Sequence, residues 1–247
     1  MMVRISEDLR LVDQRVTESI LRLRSIEEIQ KREKTRAVLP VITISRQIGT
    51  GGSEVAQKLV ERLGPPWQIW DQQIIDAIAN HAEVRKEMVQ SLDEQAQDEI
   101  ETVVKSLLGV GVIESPRYHK HLVEVLLTIE RAGFAIILGR GANFLLPHAL
   151  RVRLKASMPV RIERVMKQMN VTREQAERTI RDSDRRRAAF VKQVFGRQID
   201  EEGIYDLVIY TDDLSPEGVA RIIHTAVLVK YPELEKPSSV YALVQRR

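Results

Sequence analysis

Val41-Ile-Thr-Ile-Ser-Arg-Gln-Ile-Gly-Thr-Gly-Gly-Ser-Glu54 runs from a short apolar, β-branched strand into a glycine-rich turn. An amphipathic helix follows at once, with Val55, Leu59 and Leu63 on one face and Lys58, Glu61 and Arg62 mostly off it. Strand, glycine turn and helix in this order aim main-chain N–H groups and the positive end of a helix at one spot, which is how a chain holds an anion. Gly49, Gly51 and Gly52 let the backbone approach a phosphate without Cβ interference. Ser53 offers a hydroxyl where the pattern G-x-x-x-x-G-K-[ST] places a magnesium ligand. Laid on that pattern, Gly52 stands in the lysine position and Arg46 in that of the first glycine. The stretch is a phosphate cradle whose usual point charge is missing.

Outward from this loop, strands alternate with helices from Val38 onward. The strand candidates are Val41–Ser45, Trp67–Asp71, Phe134–Leu138, Val152–Ala156 and Asp206–Tyr210, each a short apolar run suited to burial on both faces of a parallel sheet. Helix starts are readable at Ser115-Pro116 and Ser215-Pro216, at Ser157 before Met158-Pro159, and in the capping box Thr172-Arg-Glu-Gln175. Five strands with helical crossovers predict an open α/β sheet that binds ligands beyond the carboxyl ends of its strands. Two long helical stretches interrupt the alternation, Glu83–Leu108 and Thr172–Phe195. Ahead of the sheet, Ile5, Leu9, Val12, Val16, Ile20, Leu23 and Ile26 step by threes and fours along a helix expected from about residue 6 to 34. That stripe must pack on its own domain or on a second copy as a dimerisation arm, and local sequence does not separate the two. The expected organisation is a helix in 1–37, a main domain in 38–231 with a lid at about 172–197, and a tail in 232–247, partly ordered at best.

Composition narrows the function classes. The 247-residue chain is 43% hydrophobic, enough for a substantial core, and carries 38 Lys+Arg against 35 Asp+Glu, so a net +3 gives no general argument for nucleic acid. Aromatics are only 4%, too few for a base-stacking platform interleaved with basic residues. There is no cysteine, which excludes disulfides, thiolate catalysis and cysteine-ligated zinc. His119 and His121 are two apart and point to different sides of a helix, which argues against a shared metal. No apolar run has the length of a membrane span and the first residues include charges, so the expected setting is soluble and cytoplasmic.

The second informative stretch is Ile180-Arg-Asp-Ser-Asp-Arg-Arg-Arg-Ala188. Residues 181, 184 and 187 are spaced by threes and share roughly a third of the helix circumference. Arginine grips phosphate through a planar fork and stays charged. By itself such a run is an ordinary solvated helix. Between the fourth and fifth strands of a sheet with a phosphate loop, it reads as a lid.

Four stretches together resemble the P-loop nucleoside monophosphate kinases, and most closely the cytidylate kinase-like family: Ile44-Ser-Arg-Gln-Ile-Gly-Thr-Gly-Gly-Ser53, Trp70-Asp-Gln-Gln-Ile-Ile75, Ile137-Leu-Gly-Arg-Gly-Ala-Asn-Phe-Leu145 and Asp184-Arg-Arg-Arg-Ala188. The resemblance spans about Val38 to Val229 and leaves the N-terminal helix outside. It implies a P-loop NTPase fold, a three-layer αβα sandwich on a five-stranded parallel sheet with helical monophosphate-binding and lid insertions. It also implies that Gly49, Thr50, Gly51, Gly52 and Ser53 hold the phosphates of ATP, with Ser53 on Mg²⁺, and that Arg161 and the Thr211–Leu214 loop flank the adenine. Asp71 would open the monophosphate region and Arg140 would contact the acceptor phosphate. Asp184 and Arg187 would meet a pyrimidine nucleotide, and Arg185 would stabilise the transferred phosphoryl group.

Plainer roles compete with several of these. Asp71 is also placed to cap the helix that begins at Gln72, and Trp67 and Trp70 read as core or rim packing. The sequence departs from the family pattern at the absent lysine and at Gly141, where cytidylate kinases carry an aspartate after the arginine. Arg46 precedes the loop and is long enough to fold back over it as a replacement cation. The leading expectation is ATP- and Mg²⁺-dependent phosphoryl transfer to a nucleoside monophosphate, CMP or dCMP first, with catalysis carried by Arg46, Arg140, Arg185 and Arg187. The alternative is a catalytically weak nucleotide-binding sensor that dimerises through the N-terminal helix.

Overall fold

The computed structural model describes residues 2–33, 38–108 and 116–236. Its centre is a five-stranded sheet of β1 (Val41–Arg46), β2 (Gln68–Trp70), β3 (Ala135–Leu138), β4 (Leu150–Lys155) and β5 (Leu207–Tyr210), in the order β2-β3-β1-β4-β5. Every pairing is parallel. The central strand β1 is buried on both faces from Val41 to Ser45, and so reads as a continuous apolar run. All five expected strands are present with ends shifted by one or two residues. The second is shorter than expected because Asp71 leaves the strand to begin the following helix.

Helices α1 (Met2–Glu33), α2 (Gly52–Leu63), α3 (Gln72–Asn80), α4 (Ala82–Gln90), α5 (Glu94–Leu108), α6 (Pro116–Ala132), α7 (Ala142–Leu145), α8 (Met158–Met169), α9 (Arg173–Phe195) and α10 (Pro216–Lys230) make the outer layers. On one face, Ile42, Ile44, Val152 and Leu154 meet Val55 and Leu59 of α2 and Val219, Ile223 and Val227 of α10. On the other, Val41, Trp70 and Ile137 meet Ile75 and Ile78 of α3, Leu122, Leu126 and Ile129 of α6, and the stripe of α1. Each fully buried aliphatic side chain removes enough apolar surface from water to contribute roughly 1.5–3 kcal/mol. A third, small cluster of Ile162, Val165, Ala176 and Ile180 joins α8 to α9.

The stripe of α1 packs in cis. Val12, Val16, Ile20 and Leu23 are buried against the domain's own helices, while Ile26 and Ile29 reach the other core. Arg22 donates to the carbonyls of Pro66 (2.9 Å) and Gly133 (3.1 Å), and Gln68 donates to Glu18. The described part of that stripe is buried on the chain's own core. Ile5 and Leu9 lie outside the described side chains.

Local signals fared unevenly for physical reasons. The capping box is complete, with Gln175 N–H donating to Thr172 Oγ1 and Thr172 N–H to Gln175 Oε1. Ser215 Oγ accepts from Gly218 N–H at 3.1 Å. Ser157 does not cap α8 with its hydroxyl; instead its N–H donates to Asp212 Oδ1 at 2.9 Å, which ties the start of α8 to the loop after β5. Ser115 and the tail 237–247 lie outside the described residues. Tyr231 anchors the end of α10, its hydroxyl on the carbonyls of His148 (2.8 Å) and Val41 (3.1 Å). None of the described helices is long and apolar enough to cross a membrane.

Candidate active site

β1, β3 and β4 deliver their carboxyl ends to one edge, and two clefts open there side by side. The first is formed by the glycine turn. Gly49 (φ 82°) and Gly51 (φ 75°) adopt the left-handed backbone the turn requires, and a Cβ at Gly49 would lie 2.9 Å from the carbonyl oxygen of Arg161. Among the described residues, no backbone hydrogen bond is donated by the N–H groups of residues 48–54. A run of main-chain donors without protein acceptors, ending in the first turn of α2, is geometry suited to hold an anion.

Around this cleft of about 610 Å³ stand Arg46, Ser53, Arg164, Lys167 and Arg187. Arg164 braces the loop, donating to the Gly49 carbonyl (3.3 Å), to the Thr211 carbonyl (2.7 Å) and hydroxyl (3.0 Å), and to the Asp212 carbonyl (3.3 Å). Ser53 is exposed at the head of α2. It is a single hydroxyl, and among the described residues no group of three His, Cys, Asp or Glu could hold a metal. That donor set fits a Mg²⁺ carried in on phosphates and keeping its waters, not one caged by protein.

The second cleft, of about 470 Å³, lies across β1 under α9. Arg46, Arg140, Arg186 and Arg187 line it together with Gln72 and Asn143, and no acidic residue does. Arg140 sits between two glycines with φ 53° of its own. Its guanidinium pairs with Asp76, which also accepts from the Tyr118 hydroxyl at 2.7 Å, and it stacks 5.1 Å from the centre of the Phe190 ring. Burial and the hydrogen bond to Asp76 push the Tyr118 phenol up, so it remains a donor. Asn143 is 4% exposed. Gly141 (φ 66°) lies under Phe195: a Cβ there would come within 2.1 Å of that ring. Phe195 of α9 therefore occupies the space an aspartate side chain would need.

Arg46 and Arg187 belong to both clefts. Burial, with Arg187 and Arg140 nearby, pulls the Arg46 guanidinium down to about 10 against the opposing pull of Asp71. Arg187 is also depressed, by burial and by Arg153, Arg161 and Arg186, with Asp184 opposing. Guanidiniums crowded this way are stabilised by any anion that enters between them.

The structure thus brings Gly49, Gly51, Gly52, Ser53, Arg46, Arg140 and Arg187 to the clefts and sends other expected residues elsewhere. Thr50 also lines the first cleft, through its backbone: its side chain is buried and its hydroxyl donates to the Gln47 carbonyl at 2.8 Å. Arg161 is 3% exposed and holds the Ile48 carbonyl (2.9 Å) and both oxygens of Asp184 (2.8 Å each). Those two residues tie the loop to α9. Asp71 Oδ1 caps α3 by accepting from Ile74 N–H at 3.0 Å. Arg185 points outward, 78% exposed and paired with Asp182, because neighbours on a helix diverge by about 100°. Arg186 lines the second cleft in its stead. Sequence reading also missed Arg164 and Lys167, although both follow Arg161 at helical spacing, and missed Asp76 and Asn143, which nothing in the sequence marks.

A model of the cytidylate kinase-like family matches residues 41–213. A cytidylate kinase of Pyrococcus horikoshii is 28% identical over 189 residues, covering 76% of this chain and 88% of that protein. One of Methanothrix thermoacetophila is 27% identical over 187 residues, covering 76% of this chain and 97% of that protein. Among solved structures, an uncharacterized protein from Eubacterium ventriosum superposes with a TM-score of 0.53 at 16% identity, covering 77% of this chain and 98% of that one, a likeness of fold alone. The glycine loop, the turn carrying Arg140 and all five strands of the sheet fall inside the matched region, and by that match the chain belongs to the cytidylate kinase-like family.

Proposed function

We propose that the protein transfers the γ-phosphoryl group of ATP to a nucleoside monophosphate, with CMP or dCMP as the first candidates. One observation carries this reading: an anion cradle made of main-chain N–H groups and a carboxylate-free cleft lined by guanidiniums share Arg46 and Arg187 as a common wall. A binder of one nucleotide has no use for the second basic cleft. Two anionic groups held on either side of a shared cationic wall are what in-line phosphoryl transfer needs, since catalysis there is mostly positioning and charge stabilisation.

In this reading the turn at Gly49–Ser53 cradles the donor phosphates, and Arg164 keeps the loop in shape. Arg140, oriented by Asp76, receives the acceptor phosphate, and Arg187 closes over both from the lid. An oxygen of the acceptor phosphate bonds to the γ-phosphorus as the bond to the β,γ-bridging oxygen breaks, and its electron pair leaves with ADP. Bound Mg²⁺ would supply charge neutralisation at the phosphates, with Ser53 the one hydroxyl positioned to ligate it. The preference for cytosine rests on relatives named cytidylate kinase. The sensor reading rested on the absent lysine, and it is weakened by the Arg46 side chain lying against the loop at that position.

The test is phosphoryl transfer from ATP with Mg²⁺ to CMP, dCMP, UMP and AMP in parallel. Turnover that prefers CMP or dCMP supports the proposal. Saturable ATP binding without turnover supports the sensor, and no nucleotide binding contradicts both.

A further inference from the structure

We infer that Arg46, at the end of β1, performs the work usually given to the loop lysine, and that Gly52 is glycine because the Arg46 stem occupies the space its side chain would need. This inference deepens the phosphotransferase reading and rests on it only for the turnover part of its test.

The geometry separates two reasons for a glycine. Gly49, Gly51, Gly139 and Gly141 have positive φ and would be strained with any side chain, whereas Gly52 is the first residue of α2 and shows no such φ. Nothing in its backbone asks for glycine. The obstacle is Arg46: a Cβ on Gly52 would lie 2.8 Å from Arg46 Cγ, 3.1 Å from its Cβ and 3.5 Å from its Cδ. These are atoms in the middle of the stem, so a side chain at 52 and the present path of Arg46 exclude each other. Further along, Arg46 Nη1 lies 2.5 Å from where a Cβ on Gly139 would sit, which carries the charge over to the turn before Arg140. The guanidinium therefore starts from one cleft's loop and ends at the other cleft's turn, between the two phosphates to be joined.

Its surroundings agree with a ligand-directed charge. Among the described residues Arg46 makes no salt bridge, while Arg140, Arg161 and Arg153 each have a carboxylate partner. A loop lysine reaches the β- and γ-phosphates as a point charge. Arg46 would reach the same oxygens with a planar fork from the wall shared by the two clefts. The cation and the glycine have in effect exchanged places along the chain, while the charge stays where the chemistry requires it.

The test uses the full chain with four changes: Arg46→Met, Arg46→Lys, Gly52→Lys, and Arg46→Gly combined with Gly52→Lys. Thermal melting first confirms that each variant is folded. Arg46→Met is expected to lower kcat with the best acceptor by about a hundredfold or more while KM for the acceptor changes severalfold at most. Arg46→Lys should retain part of the activity. Gly52→Lys alone should fail because its stem displaces Arg46, and the exchanged pair should recover at least about tenfold over both Arg46→Met and Gly52→Lys, the return of one charged contact. A second readout does not depend on turnover: the ratio of ATP to ADP affinity, measured by calorimetry, should fall about tenfold in Arg46→Met. Parent-like kcat and an unchanged ATP-to-ADP ratio in Arg46→Met would overturn the inference. If the parent transfers no phosphoryl group to any acceptor, the functional reading fails, and the affinity ratio still decides whether Arg46 faces the terminal phosphate.

Discussion

The two clefts that share Arg46 are built by opposite means. The cleft at the glycine turn is main chain: consecutive N–H groups of residues 48–54, held open by two left-handed glycines and braced by Thr50, Arg161 and Arg164. The other is side chain: guanidiniums from β1, the turn after β3 and α9 converge on a space with no carboxylate lining it. The first depends on a short contiguous stretch and on local backbone geometry. The second exists only once α9 has docked, with Phe195 over Gly141 and Phe190 under the Arg140 guanidinium. A cradle of backbone is hard to retune by substitution, so specificity for the acceptor should reside in the side-chain cleft and in the lid that completes it.

The sharpest way to break this contrast is Gly141→Asp, which restores the family's carboxylate. The new side chain meets a backbone φ of 66° and a ring edge within 2.1 Å. Strain and overpacking together should cost about 3 kcal/mol or more and undock the lid. Urea unfolding should show the loss, and acceptor turnover should fall instead of rise; a gain in CMP turnover would mean that a missing carboxylate, not lid docking, limits the cleft.

Arg140→Met should come next in size. It removes the acceptor-side cation and leaves Asp76 without its ion partner, so kcat/KM for the acceptor should drop by about a hundredfold. ATP affinity measured by calorimetry should stay within about threefold, since the donor-side cradle does not use Arg140. Equal losses on both substrates would show that the clefts are not separable.

Arg164→Ala is the mirror experiment. Its four hydrogen bonds tie the glycine loop to the segment after β5, and losing them should raise the Kd for ATP by about tenfold while acceptor KM holds. The smallest effect lies away from both clefts. Burial alone would raise the Asp206 carboxyl, but hydrogen bonds from the Arg151 side chain and N–H and from Lys230 bring it down to about 2. A carboxylate with a depressed folded-state pKa contributes stability above its unfolded pKa and loses it as pH falls. About 1–2 kcal/mol should therefore disappear between pH 4 and pH 2, and Asp206→Asn should abolish that part of the acid profile in denaturant titrations. Neither substrate's binding should change.

The same contrast explains what the sequence made legible. The parallel sheet was readable because strands buried on both faces are apolar without alternation, as β1 and β3 are. The donor loop was readable because its chemistry lies in adjacent residues. The side-chain cleft was readable only in part, since a residue's type announces charge but not direction. Arg185 and Arg186 are adjacent and identical, yet one faces solvent and the other lines the cleft, a difference set by the rotation of α9. Arg161 and Asp184 were both singled out, but their pairing with each other appears only when α8 packs on α9. Asp71 had two plausible tasks, and the start of α3 took it as a cap. The cis packing of α1 depends on faces of α3, α4 and α6 that no local pattern on α1 reveals.

The central claim is that the two clefts form one site across which a phosphoryl group passes. A bisubstrate analogue, adenosine and cytidine joined 5′ to 5′ by five phosphates, tests it most directly by calorimetry on the parent protein. The account predicts binding at least about a hundredfold tighter than ATP or CMP alone, because one linked molecule fills both clefts. An affinity no better than that of ATP would contradict it, leaving a donor site with no acceptor beside it.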